Sequence, residues 1–102
     1  MAMTPERKVK QAVMKILRGY PDLYYTYAQM GGYGSAGVPD ILVCANGRFI
    51  AIECKAGKNT VTALQQHNID KIKAAQGVAV VINESNLHEL EKILHEAYKS
   101  NR

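Results

Sequence analysis

Val38-Pro39-Asp40 and Glu53-Cys54-Lys55, on either side of an Asn46-Gly47 turn, are the stretches that decide how this chain folds. Asn-Gly between two apolar runs is the strongest short-range signal for a two-residue β-hairpin loop. With Asn46 and Gly47 as the loop, cross-strand partners are positions whose numbers sum to 93. Asp40 and Glu53 then face each other directly. Strand alternation also places Lys55 on the same face as Glu53.

The two opposed carboxylates predict a site for a divalent cation. Like charges directly opposite each other destabilise a sheet, and a carboxylate at the end of a core strand is costly to bury unless it is paired or metal-bound. Opposed Cβ atoms lie roughly 4.5–5.5 Å apart and Mg²⁺–oxygen bonds are about 2.0–2.1 Å, so one ion can be held from both strands. The alternatives are a turn role for Asp40 after Pro39 and a simple ion pair of Lys55 with Glu53.

Two further polar residues have both a structural and a functional interpretation. Glu6 lies in the first turn of a predicted helix, where an acid favours the helix dipole, but it also shares the inward stripe that begins with Val9. Gln65 completes a capping box with Thr62. It also shares a stripe with Ile69 and can point towards the sheet, and these two roles are not exclusive.

The periodicity of the chain predicts one α/β domain over residues 1–102. Helices are expected from Pro5 to about Arg18, from Thr62 to Gly77 and over residues 86–99. Strands are expected over residues 23–28, 39–45, 48–55 and 78–82, with a flexible glycine-rich loop at 31–37. The order αβββαβα predicts a three-layer arrangement with a mixed sheet.

The apolar pattern of these elements predicts which surfaces are buried. Both faces of the hairpin are apolar, so it should be central in a sheet covered on two sides. The strand at 78–82 should be fully buried. The inward residues of the three helices are expected to be Val9, Val13, Ile16 and Leu17, then Leu64, Ile69, Ile72 and Ala75, then Leu87, Leu90, Leu94, Ala97 and Tyr98.

Composition and charge favour a polyanionic partner away from membranes. Thirteen Lys and Arg against nine Asp and Glu give a net charge of +4. If Glu6, Asp40 and Glu53 are set aside as candidate metal ligands, six acidic residues remain for the rest of the surface. Such a balance is typical of nucleic-acid-binding domains. No apolar run approaches the roughly 18 residues of a membrane span. Cys44 and Cys54 cannot reach each other in the predicted hairpin, and free thiols suit a reducing cytoplasm.

Three motifs together resemble one nuclease family. They are Gly37-Val38-Pro39-Asp40-Ile41-Leu42, Ile52-Glu53-Cys54-Lys55-Ala56-Gly57 and Thr62-x-x-Gln65. Pro-Asp followed by Glu-x-Lys is similar to the PD-(D/E)xK nuclease superfamily. The longer strings resemble its virus-type replication-repair nuclease (VRR-NUC) branch, and the stand-alone phage-type members most of all. The resemblance extends from Glu6 to about Ile82.

The resemblance implies a restriction-endonuclease-like core and a Mg²⁺- or Mn²⁺-dependent endonuclease that cleaves DNA to leave a 5′-phosphate. It implies metal ligation by Asp40, Glu53 and the backbone carbonyl of Cys54, with Glu6 as a candidate further ligand. The expected catalytic residues are Glu6, Asp40, Glu53, Lys55 and Gln65.

The same resemblance gives the expected partners. Stand-alone relatives suggest branched DNA such as four-way (Holliday) junctions, a homodimer, and the cytoplasm of a bacterial host for a phage protein. The nucleic-acid contacts we expect are Lys58, Tyr33 and Ser35. The alternatives are a solvated surface role for Lys58 and a packing role for the tyrosine. The alternative function is a catalytically inactive nucleic-acid-binding module with the nuclease fold.

Overall fold

A mixed four-stranded β-sheet carries helices on both of its faces. The computed structural model describes residues 3–28 and 37–99. Its elements in chain order are α1 (Pro5–Arg18), β1 (Tyr24–Tyr27), β2 (Ile41–Ala45), β3 (Arg48–Cys54), α2 (Ala63–Ala74), β4 (Val78–Ile82) and α3 (Leu87–Lys99). The strands lie in the order β1-β2-β3-β4, with β3 and β4 parallel and the other pairs antiparallel. The predicted α/β class, the mixed sheet and the central position of the hairpin are confirmed.

The β2–β3 hairpin closes through Asn46 and Gly47, as predicted. Their φ angles of 51° and 81° are both positive, which is the backbone conformation of a type I′ turn and the reason why Asn-Gly is favoured there. Ile41 pairs with Ile52 and Ala45 with Arg48, so the partner numbers sum to 93. The side-chain amide of Asn46 donates a 2.9 Å hydrogen bond to the carbonyl of Ala97, which ties the turn to α3.

The hydrophobic core lies on the face of the sheet that α1 and α3 cover. Helix α1 begins as predicted, with Pro5 in its first turn and the Thr4 hydroxyl accepting a hydrogen bond from the Arg7 N–H. Both helices present apolar stripes at helical spacing to the alternate residues of β2 and β3. The buried side chains on this face are Val9, Val13, Leu17, Leu90, Leu94, Ala97, Ile41, Val43, Ala45, Ile50, Ile52, Cys54 and Ile82.

The second face of the sheet is only partly covered, which corrects the prediction of two covered faces. Helix α2 packs mainly against the edge strand β4, and of its residues Ile69 alone is buried. Consequently Phe49 is 44% exposed on the sheet and Leu64 is 47% exposed on the helix. Ala75 and Cys44 are exposed as well. Leu64 and Ala75 were expected to point inward, and this was wrong because α2 does not extend over β1 and β2.

Strand β4 is less buried than its apolar sequence predicted. Only Ile82 is buried, and Val78, Ala79, Val80 and Val81 are half-buried. The reason is position, since β4 is an edge of the sheet and pairs with β3 on one side alone. Helix α2 also ends earlier than predicted, at Ala74, and Gln76 adopts a positive φ of 72° in the turn to β4.

Of the predicted glycine-rich loop at 31–37, only its last residue lies within the described part of the chain. Within residues 3–28 and 37–99, none of the helices combines the length and the apolar composition that a membrane crossing requires.

Candidate functional site

Asp40 and Glu53 lie at the open end of the hairpin, opposite the Asn-Gly turn. Asp40 immediately precedes β2 and Glu53 is the penultimate residue of β3. Continuing the observed register by one position places the two opposite each other, as predicted. The helices α1 and α2 approach this end from the two faces of the sheet.

The loop that leads into Asp40 packs against α2 at Gly37. The φ of Gly37 is 87°, in the left-handed region that favours glycine. A Cβ atom on Gly37 would lie 2.8 Å from the backbone carbonyl carbon of Leu64. A larger residue would therefore push α2 away from the strand end, so Gly37 fixes the position of α2 next to the carboxylates.

The Asp40 carboxylate is held by contacts from two neighbouring elements. Its Oδ2 accepts a 2.8 Å hydrogen bond from the backbone N–H of Cys54, and its Oδ1 lies 3.5 Å from Nζ of Lys10 on α1. In an extended strand the N–H and C=O of one residue point to the same neighbouring strand. The Cys54 carbonyl, expected as a metal ligand, therefore also lies on the Asp40 side of β3.

Glu53 is a buried carboxylate with one oxygen lacking a partner. Its residue is 3% exposed, and among the described residues it is the only buried polar or charged one. The Oε1 atom is buried without a hydrogen-bond partner in this part of the chain. Burial raises the pKa of Glu53 to about 7, and the Asp40 carboxylate adds to the rise while Lys55 opposes it. The ionised form of Glu53 is thus unfavourable until a cation compensates it.

Two side chains contact the other oxygen of Glu53. Lys55 follows the end of β3, and its Nζ lies 3.7 Å from Glu53 Oε2, on the same face as the alternation predicted. Gln65 Nε2 donates a 3.1 Å hydrogen bond to the same oxygen. These contacts keep Oε2 fixed and leave Oε1 as the carboxylate atom without a protein partner among the described residues.

Gln65 fulfils both of the roles that its position in the sequence allowed. Its Oε1 accepts from the Thr62 N–H at 2.9 Å, and its own N–H donates to the Thr62 hydroxyl at 3.1 Å, which completes the capping box. Because the amide oxygen is engaged by the cap, the amide nitrogen is directed at Glu53. The helix cap therefore orients the side chain that contacts the candidate site.

Lys10 also lies at the site, although the sequence analysis did not single it out. Its Nζ lies 3.6 Å from Glu6 Oε2 and 3.5 Å from Asp40 Oδ1. Partial burial opposes its charge, but Asp40 and Glu6 hold the pKa of Lys10 above its ordinary value. The only signal for this role in the sequence is the spacing of four residues from Glu6, which is typical of helical ion pairs.

Glu6 is a peripheral member of the cluster. Its side chain is partly exposed and it reaches Asp40 through Lys10 rather than by a direct contact. It was expected as a catalytic residue and a candidate ligand. The structure places it near Asp40 and Glu53, close enough to contribute a small upward effect on the pKa of Glu53.

The turn after Lys55 is anchored by a residue that the sequence did not single out. The backbone N–H of Gly57 donates to both carboxylate oxygens of Glu84, at 2.7 and 3.0 Å. Lys58 follows this turn and is exposed. Tyr33 and Ser35, the other two expected nucleic-acid contacts, lie outside the described residues.

The donors present suit an ion that keeps water or substrate ligands. Within residues 3–28 and 37–99, no three or more His, Cys, Asp or Glu side chains are grouped to hold a metal. Of the residues that the structure describes, Asp40, Glu53 through its Oε1 atom and Cys54 through its carbonyl offer oxygens at the strand ends. Mg²⁺ is commonly held by one or two carboxylates, with water and phosphate oxygens completing its shell. The residues therefore fit such an ion.

The side chain of Cys54 belongs to the hydrophobic core. The thiol is buried and free, and burial raises its pKa to about 12, with a further contribution from Asp40. A thiol that stays protonated is a poor nucleophile and metal ligand, so only the backbone of Cys54 is offered to the site.

In comparisons with protein-family models, curated proteins and solved structures, this chain matched none of them.

Proposed function

We propose that this protein is a divalent-cation-dependent endonuclease that hydrolyses DNA phosphodiester bonds. The observation that carries the proposal is the buried Glu53 carboxylate, with Asp40 opposite it and with one oxygen that has no hydrogen-bond partner among the described residues. An isolated buried carboxylate destabilises a fold unless a cation or a hydrogen bond compensates it. The second carboxylate, Asp40, increases the electrostatic cost of ionising Glu53. A bound cation would offset the charge of both carboxylates.

Each side chain of the site has a part in such a reaction. A bound Mg²⁺ or Mn²⁺ would neutralise a phosphate oxygen and lower the pKa of a water molecule. Asp40 and Glu53 would hold that ion, and Gln65 would keep Glu53 oriented through its 3.1 Å hydrogen bond. The Lys55 ammonium group would stabilise negative charge that develops on the phosphate.

The products follow from the direction of the attack. Water adds to phosphorus, the bond to the 3′-oxygen breaks, and the leaving oxygen takes up a proton to become a 3′-hydroxyl. The phosphate remains on the 5′ end of the downstream strand. The resemblance of the three motifs to VRR-NUC nucleases supports this polarity.

Branched DNA and a homodimer are parts of the same proposal. Resolving a four-way junction requires two cuts related by two-fold symmetry, and a C₂ dimer is the commonest closed assembly. The exposed rings of Tyr24 and Phe49 support such an interface, because the strand register places them in one row on the second face of the sheet. The Tyr20 ring is engaged elsewhere, stacked on the Tyr98 ring with centroids 5.5 Å apart.

A reducing cytoplasmic setting is proposed as well. Both cysteines of the chain are free, with Cys44 exposed and Cys54 buried. Exposed free thiols are typical of proteins in reducing compartments.

The experiment that tests the proposal is a cleavage assay on labelled single-stranded, duplex, flap and four-way DNA in Mg²⁺, Mn²⁺ or EDTA. We expect cleavage that requires the divalent ion and prefers the branched substrate. Asp40→Asn, Glu53→Gln and Lys55→Ala should each reduce cleavage by on the order of a hundredfold or more. The first two remove carboxylates that would hold the ion, and the third removes the ammonium group that would stabilise charge on the phosphate.

Glu91→Gln is the matched control for Asp40→Asn and Glu53→Gln, because Glu91 is an exposed carboxylate on α3 and its loss changes the net charge as theirs does. Undiminished cleavage by folded Asp40→Asn protein in Mg²⁺ would contradict the proposal. Ion-independent binding of DNA without cleavage by the wild type would support the inactive nucleic-acid-binding module instead.

A further inference from the structure

Two adjoining grooves run between α1 and the end of β1, next to the candidate site. The first, of about 390 Å³, is lined by Thr4, Arg7, Lys10, Gln11 and Tyr27. The second, of about 450 Å³, is lined by Gln11, Ala12, Met14, Lys15, Arg18 and Tyr27. Because they share Gln11 and Tyr27, they form one continuous surface along α1, which we call the α1 groove.

The α1 groove is strongly basic. It contains four cationic side chains, Arg7, Lys10, Lys15 and Arg18, and none of the described residues that line it is acidic. Their spacing along the helix brings them to neighbouring positions on one side of α1. From the first to the last, the helix rises about 16 Å at 1.5 Å per residue. One DNA strand carries a phosphate about every 3.4 Å of the duplex axis, and the spacing is larger in an extended single strand, so the groove is long enough for more than one phosphate.

The α1 groove adjoins the candidate site at Lys10, in the middle of its length. Lys10 lines the groove and also lies 3.5 Å from Asp40 Oδ1. Next to Tyr27, the backbone N–H of Ala28 donates to the Asp40 carbonyl at 2.9 Å, which fixes the strand end beside the carboxylate. A chain lying in the groove would therefore pass beside Asp40.

We propose that the α1 groove binds a single-stranded segment of the DNA substrate adjacent to the cleaved bond. This inference rests on the proposed nuclease function and adds the path of the substrate to it. The groove cations other than Lys10, which is paired with Asp40, contact phosphates of the strand. An unpaired base stacks on Tyr27, whose side chain is 43% exposed. Stacking on an aromatic ring requires a base that has left the duplex, so the groove selects single-stranded or branched regions.

The charge contribution is tested by two matched double variants. Lys15→Gln with Arg18→Gln and Lys71→Gln with Lys73→Gln each remove two cations from the last turn of a helix, α1 or α2 respectively. Fluorescence anisotropy of a labelled single-stranded oligonucleotide is measured in EDTA over a series of salt concentrations. The α1 variant should reduce the slope of log K against log salt by about 1.4, because each single-strand phosphate contact contributes about 0.7. The α2 variant should keep the wild-type slope, and equal slopes for the two variants would overturn the proposal.

The stacking contribution is tested at Tyr27 in the same assay. Tyr27→Val keeps a strand-favouring residue and should weaken binding by at least about fivefold with the salt slope unchanged, since stacking supplies that much or more. Tyr27→Phe should bind as the wild type does. Wild-type affinity in folded Tyr27→Val protein would overturn the role of Tyr27, and the charge variants test the groove separately if this variant does not fold.

Failure of the groove and failure of the nuclease proposal give different results. Binding is measured without a divalent ion, so it does not depend on cleavage. If the wild type cleaves DNA while both groove variants bind normally, the α1 groove is not the DNA-binding surface and the nuclease proposal still stands. If the wild type binds DNA through the α1 groove but cleaves no substrate, the nuclease proposal is wrong and the binding proposal still stands.

Discussion

The two ends of the β2–β3 hairpin differ in how their residues affect the stability of the fold. At the turn end, Asn46 and Gly47 adopt the positive φ angles that the turn requires, and the Asn46 amide bonds to the Ala97 carbonyl. At the open end, Asp40 faces Glu53 and one oxygen of Glu53 is buried without a partner among the described residues. Every feature of the turn end stabilises the fold, whereas the open end contains groups that destabilise it.

The difference indicates which residues of the hairpin are explained by folding and which require another reason. A chain needs Asn-Gly and the alternating apolar residues to form this sheet. It does not need two facing carboxylates, because an apolar or amide pair would fit the same register with less repulsion. The open end is therefore the part of the hairpin for which a bound cation is the simplest account.

The largest loss of stability is expected from a substitution in the apolar part of the hairpin, between its two ends. Ile50→Ala removes a fully buried side chain on the α1–α3 face and should lower the free energy of unfolding by about 2–5 kcal/mol. Leu64→Ala is the matched truncation on the poorly covered second face and should have a much smaller effect. Urea denaturation of both variants checks this, and similar losses would show that α2 covers the sheet as fully as the other helices do.

At the open end we expect a substitution to stabilise the protein when no metal is present. The pKa of Glu53 is raised from its ordinary value of 4.5 to about 7. The folded protein therefore binds this proton more tightly than the unfolded chain does. The resulting stability is complete below pH 4.5 and is lost as the pH rises to about 7. Glu53→Gln keeps an oxygen for the Gln65 amide and should be more stable than the wild type at pH 8 in EDTA, by up to about 3 kcal/mol.

Thermal denaturation in EDTA across pH 4 to 8 measures this effect. The loss of stability between about pH 4.5 and 7 should be shallower in Glu53→Gln than in the wild type. Glu91→Gln, on the exposed surface of α3, should keep the wild-type profile. A Glu53→Gln protein that is less stable at pH 8 and has the wild-type pH dependence would mean that Glu53 is compensated in the fold without a cation.

A smaller effect separates the two roles of Gln65. Thr62→Ala removes the hydroxyl that caps α2 and should lower stability by about 1 kcal/mol, while the contact of Gln65 with Glu53 is kept. Gln65→Glu retains an acceptor for the Thr62 N–H, but it places a carboxylate against Glu53. We therefore expect cleavage to be lost in Gln65→Glu and retained in Thr62→Ala. The reverse result, from unfolding curves and cleavage rates of both variants, would leave Gln65 as a capping residue alone.

The sequence predicted the site where the geometry is set by local rules. The Asn-Gly turn fixes the register, so the pairing of Asp40 with Glu53 and the side of Lys55 follow from counting residues. Gln65 could be placed because a capping box fixes its position on α2. These relations depend on neighbours in one hairpin or one helical turn.

The remaining features depend on how the helices are placed on the sheet. Lys10 reaches Asp40 because of the position of α1 above the strand ends, and residue spacing contains no information on that position. The exposure of Leu64 follows from where α2 packs on the sheet. The contact of Glu84 with the Gly57 N–H joins two loops that are distant in sequence. The prediction that Leu64 points inward was wrong because it assumed that helices cover both faces of the sheet completely.

The most direct test of the central claim is a calorimetric titration of the metal-free protein with Mn²⁺ and with Mg²⁺, together with the melting temperature at each ion concentration. We expect the wild type and Glu91→Gln to bind the ion and to melt at higher temperature as its concentration rises, by mass action on the folded state. Asp40→Asn and Glu53→Gln should show neither heat of binding nor the shift. Absence of ion binding by the wild type, or undiminished binding by Glu53→Gln, would contradict the claim that the facing carboxylates form a cation site.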